Sequence, residues 1–435
     1  MIGDIFFAIL GLTALVSIAI LFSNNRSRID WRLVATGLGL QVFFALLVLK
    51  TTYGRQVFEW MSEFFVIIIG FTTNGASFVF NSLATQSDFA KAFPENLQAQ
   101  GFGFVFAFQV LPTIIFFSSL MSVLYHLGIM QRVVQGMAWV MTKTMRVSGA
   151  ESLSVAANVF VGQTEAPLVV RPFIAKMTHS ELLTLMVGGM ATIAGGVLAA
   201  YVSILGGTDL ATQTYYAKHL LSASIMAAPA TMVIAKILIP ETEASTTKGS
   251  VQIHVEKTAT NVIEAAANGA ADGLKLALNV AAMLLAFIAL IAMVDYILQG
   301  LGSVTGINGL IGQELTLKLI LGYLLAPIAW LIGVPTQDIV TVGGLIGEKL
   351  VINEFVAYLH LGEVKAMLSD KAVLISTYAL CGFANFSSIA IQIGGIGPLA
   401  PNRKHDLAKY GLRAVLGGTI ATMMTATIAG LISSF

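Results

Sequence analysis

Residues 159–173 read "VFVGQTEAPLVVRPF". Gln163, Thr164 and Glu165 stand side by side between apolar runs, and Pro167 closes the group. In a soluble protein this stretch would pass for a surface turn. The rest of the chain decides whether it can be one.

Of the 435 residues, 56% are hydrophobic and only 11% are charged, and the mean hydropathy is +0.83. Soluble domains carry roughly 25% charged residues, so this chain cannot cover a globular surface with ions. Runs without Asp, Glu, Lys or Arg are long: 5–25, 64–87, 96–131, 182–208, 276–294, 319–337, 372–402 and 414–435. A bilayer core of ~30 Å takes about 20 apolar residues of helix, and most of these runs are long enough. The composition is that of an all-α polytopic membrane protein. In such a chain "GQTEAP" (162–167), set between uncharged apolar segments, need not be an ordinary surface turn.

The first run lacks a basic n-region and a small-residue cleavage site, so it reads as a span and not as a removed signal peptide. Arg26, Arg28 and Arg32 follow it in a short loop. The positive-inside rule puts that loop in the cytoplasm and the N-terminus outside. The basic cluster "NRKHDLAKYGLR" (402–413) before the last span places the C-terminus outside too. A net charge of +1 gives no basic footprint for a nucleic acid. The single cysteine, Cys381, excludes disulfides within the chain and suits a packing role in an apolar run.

Spans are expected at about 3–23, 32–50 and 104–128. Residues 57–80 read as an amphipathic or interfacial helix, and 84–101 as a polar extramembrane segment. A second polar segment, 240–261, divides the remainder into two parts alike in plan. The first has an interrupted apolar stretch (134–176), a Gly-rich helix beginning "ELLTLMVGGMATIAGG" and a span at about 217–239. The second has an interrupted stretch (313–361), then "KAVLISTYALCGFANFSSIAIQIGG" and a span at 411–433. Paired, interrupted hydrophobic segments in matching positions point to a transporter site near the membrane midplane.

An acidic side chain at membrane depth costs at least ~2.5 kcal/mol on insertion scales, so it faces protein, water or a ligand. Glu165 and Glu354 are the two candidates, each with an amide close by (Gln163, Asn353). Asn385, Ser388 and Gln392 are spaced for one helical face. Such a stripe is either interhelical glue or the wall of a polar site. Thr192 offers a hydroxyl in "ATIAGG" (191–196), where two glycines let a helix unwind. There is no phosphate loop, no HExxH and no Cys/His set with zinc spacing, which argues against an ATP-driven pump and against an enzyme of those classes.

The stretches "GQTEAPLVVRPFI", "MATIAGGVLAAYVSILG", "INEFVAY" and "CGFANFSSIAIQIGGIG" together resemble the concentrative nucleoside transporters, especially the bacterial sodium-coupled ones. The likeness runs from about residue 100 to the end; before that it is one of layout. The resemblance implies eight transmembrane helices plus two re-entrant helical hairpins, an inverted repeat and broken helices at the substrate site. It also implies a homotrimer in the cell inner membrane whose transport domain moves as an elevator.

By motif, Gln163, Thr164 and Glu165, with Val197, would contact the base of a uridine-like nucleoside. Glu354, Asn385 and Ser388 would hold the ribose, and Phe383 would pack on the nucleoside. Na+ would sit between backbone carbonyls of Asn158, Val161 and Ile193 and the oxygens of Thr192. The family varies between Ser and Thr at that last place, so the hydroxyl ligand is kept. The implied units are 1–133 (scaffold spans and interfacial helix), 134–239 (first transport repeat), 240–300 (polar connector and long scaffold span) and 301–435 (second transport repeat). Membrane lipid would surround the scaffold. Proton coupling on the same architecture is the alternative.

Overall fold

The computed structural model describes residues 2–91, 104–248 and 259–433. Among these residues there is no strand, only one isolated bridge between Ser148 and Lys248. Residues 92–101 of the first polar segment and 249–258 of the second lie outside the described residues.

Three helices open the chain: α1 (Ile2–Leu21), α2 (Trp31–Leu49) and α3 (Thr52–Phe80). Asp30 starts α2 by accepting from the amides of Arg32 (3.0 Å) and Leu33 (3.2 Å). In α3 one stripe is buried (Gly54, Phe58, Ser62, Val66, Ile69, Thr72, Ala76), while Trp60, Phe64, Ile67 and Phe71 face outward. The amphipathic reading of 57–80 thus holds for the buried stripe, but the outward face is apolar. By length and composition the helix can cross a membrane.

Next come α4 (Leu111–His126), α5 (Ile129–Met145) and α6 (Gly149–Asn158). After α6 the backbone leaves the helix over 159–165, and two single turns, Ala166–Val169 and Arg171–Ile174, lead it back. Pro167 and Pro172 sit in the first turn of each, where a missing amide proton costs nothing. Then α7 (His179–Ala191) stops, Thr192–Ala194 run extended, and α8 (Gly195–Gly206) resumes before the long α9 (Leu210–Leu238).

Helix α10 (Val262–Thr305) has 44 residues, about 66 Å at 1.5 Å per residue, more than twice a bilayer core. It packs on α4 through Gly269 and Gly273. A Cβ on Gly269 would lie 2.7 Å from the Ser118 carbonyl, and one on Gly273 2.8 Å from Ile115 Cα. Small residues four apart let two backbones approach in lipid.

The order then recurs. Helices α11 (Leu317–Leu331) and α12 (Ile339–Val351) are joined by a turn at 332–338, and α13 (Glu354–Val364) follows after two residues. Helix α14 (Asp370–Ala379) stops, residues 380–385 break the helix, and α15 (Phe386–Ile396) resumes before α16 (Lys404–Ser433). Helices α9 and α16 are buried along most of their length and form the centre on which α7, α8, α14 and α15 pack.

Residues 239–248 are not a free connector. Thr247 accepts from the amides of Gly149 (2.9 Å) and Ala150 (3.2 Å) at the start of α6. Ser245 donates to Glu181 (2.5 Å) and Glu241 accepts from Thr178 (2.9 Å), both at the start of α7. Lys236 of α9 joins Glu151 (2.8 Å) to Glu241 (3.1 Å). Glu151 and Glu181 each close a capping box with Ser148 and Thr178.

Candidate functional site

The break between α14 and α15 carries the side chain that organises the site. Asn385 caps α15: its Oδ1 accepts from the Ser388 amide at 2.9 Å and from Ser387 Oγ at 2.7 Å. That bond fixes the amide group, and Asn385 Nδ2 then donates to Glu354 Oε2 at 3.0 Å. Glu354 is the first residue of α13, buried, and its other oxygen accepts from Tyr201 OH at 3.0 Å. Asn353 spends its own side chain on capping α13, accepting from the Val356 amide at 2.9 Å.

One turn into α15, Ser388 Oγ accepts from Gln163 Nε2 at 3.1 Å. Gln163 Oε1 accepts from Gln392 Nε2 at 3.1 Å, and Gln392 also donates to the Met186 carbonyl of α7 at 2.9 Å. A single bonded chain therefore runs from α7 through the tip after α6, along the start of α15, to the start of α13 and across to α8. The two interrupted stretches, distant in sequence, meet at the N-terminus of α15. Buried polar groups of this kind stay in an apolar interior only when bonded.

The residues expected at the site fall in three groups. Gln163, Glu354, Asn385 and Ser388 are in the bonded chain and buried. Val197 is buried on α8, one turn before Tyr201 on the same face, and Phe383 lies half-buried in the α14–α15 break. Thr164 is half-buried against Gly395, where an added Cβ would lie 2.7 Å from Thr164 Cγ2. Glu165 stands apart: it is exposed and folds back towards Gly162, whose Cβ would lie 2.2 Å from Glu165 Oε2.

The sequence gives no reason to single out Tyr201. A tyrosine in an apolar helix is ordinary, and only its place one turn after Val197 could have drawn notice. It is fully buried, stacks on Tyr358 with ring centroids 4.2 Å apart and meets Phe355 edge-on at 5.0 Å. The aromatic packing leaves its hydroxyl one direction, towards Glu354.

A second cluster lies where α6 and α7 end. The backbone carbonyls of Asn158, Val161 and Ile193 accept no hydrogen bond among the described residues. Asn158 Oδ1 is buried with no hydrogen-bond partner among the described residues, its Nδ2 being used on the Ser154 carbonyl at 3.1 Å. Thr192 Oγ1 donates to the Gly188 carbonyl at 2.9 Å, leaving its lone pairs free. The Gly195 amide holds the Phe160 carbonyl at 3.0 Å and so ties the tip to the α7–α8 break. Oxygen donors at the negative ends of helices are of the kind that hard cations take.

Comparison with known proteins agrees in order along the chain. Residues 10–83 match the N-terminal part of Na+-dependent nucleoside transporters, 107–208 a nucleoside-recognition "Gate" region, and 219–430 the C-terminal part of Na+-dependent nucleoside transporters. An uncharacterized transporter of Bacillus subtilis, YutK, is 46% identical over 98% of this chain and 99% of its own length. Human sodium/nucleoside cotransporter 1 is 41% identical over 96% of this chain, which spans 62% of that longer protein. The structure of CNTnw in an inward-facing substrate-bound state matches with a TM-score of 0.88 and 43% identity, over 99% of both chains. Outward-facing structures of CNTnw match at a TM-score of 0.89. The chain is a transporter and not an enzyme: it belongs to the Na+-dependent nucleoside transporter family.

Proposed function

We propose that this protein is a sodium-coupled symporter that imports nucleosides across the cell inner membrane by an elevator motion, as a homotrimer. The observation that carries the reading is the buried hydrogen-bonded chain between the two interrupted stretches, with uncommitted oxygens beside it. A nucleoside is neutral and rich in donors and acceptors. The amides and hydroxyls of Gln163, Asn385 and Ser388 can exchange bonds with one another for bonds with such a ligand, and Glu354 accepts from a sugar hydroxyl. Thr164, Glu165, Val197 and Phe383 complete the base and stacking contacts, Glu165 by turning in from its exposed position.

Sodium is cargo in this scheme. Asn158, Val161, Thr192 and Ile193 take it with carbonyl and hydroxyl oxygen. Its inward movement yields ~2.3 kcal/mol per 100 mV, roughly 40-fold accumulation before any sodium gradient is counted. Residues 134–239 and 301–435 act as transport repeats of inverted topology, with α6 and α12–α13 in re-entrant hairpins. Residues 1–133 and 240–300 supply the static, lipid-facing scaffold and connector.

Uptake of labelled uridine into proteoliposomes, with sodium and proton gradients imposed separately, tests the reading. Concentrative uptake driven by sodium alone is expected. Uptake driven by protons and indifferent to sodium would replace the coupling ion, and no concentrative uptake under either gradient would remove symport.

A further inference from the structure

Lys349, in the last turn of α12, is 1% exposed, and no carboxylate pairs with it among the described residues. Its ammonium donates to the Ala379 carbonyl at 2.8 Å and to Thr422 Oγ1 at 3.0 Å. Ala379 is the last residue of α14, so the charge rests at the negative end of a half-helix. A buried ammonium is costly unless oxygens replace its water; here a carbonyl and a hydroxyl do so, and the buried Glu354 carboxylate acts on the charge without touching it.

The arrangement has a counterpart in the first repeat. There the end of α7 and Thr192 face the end of α6, and the side chain arriving from α6 is the neutral amide of Asn158. In the second repeat the end of α14 and Thr422 of α16 face the end of α12, and the side chain arriving from α12 is a cation. The two breaks lie back to back. A Cβ on Gly382 would stand 2.8 Å from the Met190 carbonyl, 3.0 Å from Ala191 C and 2.9 Å from Thr422 Cγ2. Matching helix ends thus face a free oxygen cluster on one side and a covalently attached positive charge on the other.

We propose that the Lys349 ammonium is a tethered cation filling the place a second sodium ion would take, so that this side chain limits coupling to one sodium ion per nucleoside. The inference rests on the reading of Asn158, Val161, Thr192 and Ile193 as a sodium site. It assigns Lys349 the role of a specificity-determining residue that touches neither substrate nor ion.

The test is 22Na+ binding to the purified full-length protein in detergent at saturating uridine, counted per protomer. Wild type should bind one ion. Lys349→Ala, which vacates the space and frees both oxygens, should bind two, with uptake becoming second-order in sodium and the charge moved per nucleoside doubling. Lys349→Met, of similar length but uncharged and apolar, should still bind one. Thr192→Val combined with Lys349→Ala should return the count to one. Two ions in the wild type, or one in folded Lys349→Ala, would overturn the proposal. Where Lys349→Ala and the second small variant Lys349→Ser both fail to fold, the wild-type count decides: one ion supports the tethered cation and two refute it. No ion bound in the wild type would instead refute the sodium reading, and this inference with it.

Discussion

Gln163 is the joint of the bonded chain, since it donates to Ser388 and accepts from Gln392. Gln163→Ala leaves Ser388 Oγ buried without its donor and takes from Gln392 one of its two bonds, at ~1–3 kcal/mol. The nucleoside KM should rise about 10-fold or more, with the half-saturating sodium concentration little changed. Uptake at varied uridine and sodium measures both. Thr192→Val should do the reverse: it keeps the shape, removes one oxygen and raises half-saturating sodium by about 10-fold. Unchanged sodium dependence would take Thr192 out of the site. Glu354→Gln keeps one acceptor oxygen and turns the other into a donor, so either Asn385 Nδ2 or Tyr201 OH loses the acceptor it has. It should weaken nucleosides that carry the contacted ribose hydroxyl more than analogues lacking it, because a polar site rejects a missing partner. Equal loss for both would mean that Glu354 does not read the sugar.

At the scale of helices, the site depends on how closely their ends approach. A Cβ on Gly189 of α7 would lie 2.8 Å from both Gln163 Cβ and Gln392 Nε2. Gly189→Ala must therefore push the tip after α6 off α15, and a several-fold loss of nucleoside affinity is expected. Gly394→Ala on α15 is the control, for nothing lies within 4 Å of its added Cβ; it should bind as wild type and gain roughly 0.5–1 kcal/mol of helix stability. Thermal unfolding and uridine binding on the two variants separate displacement of the tip from helix propensity. The helix interruptions themselves were legible in the sequence. "ATIAGG" puts polar and Gly residues inside a membrane-length apolar run and "GQTEAP" puts them inside a shorter one, and the helix breaks at both; "GFTTNGAS" (70–77) has a similar make-up and α3 passes it unbroken, so composition marks where a helix can break and not where it must. The caps were less so: Asn353 adjoins Glu354 and Asn385 shares a face with Gln392, but neither spacing marks a helix start, and which one would reach Glu354 depended on tertiary placement.

For the whole molecule, the apolar outward faces of α3 and α10 contrast with the buried, polar-centred group of α7, α12, α14 and α15. Moving Glu354 through lipid alone would be costly, so the proposed elevator requires that it be carried enclosed. Single cysteines along 162–166 and 352–356, in a Cys381→Ala background, should change accessibility from the two sides in concert with sodium and nucleoside. Cysteines in 104–128 should stay indifferent. Labelling of the tips from one side only, under every condition, would show that the group does not move. The all-helical membrane class could be read at this scale from charge-free runs alone. Lys349 and Tyr201 could not, because a lone lysine near a helix end and a lone tyrosine in an apolar helix are common in chains that put them to no such use.

The polar stretch after α9 divides the chain by composition, yet Thr247, Ser245 and Glu241 fasten the starts of α6 and α7 to each other and to Lys236. Those two helices end at the uncommitted oxygens around Asn158 and Thr192. A fluorescent reporter or affinity handle inserted between 240 and 248 would therefore not be a silent passenger on a loop. It would loosen the far ends of the two helices to which the proposal assigns sodium, and its mark would be a weakened response to sodium in a protein that is still made, inserted and able to recognise its nucleoside.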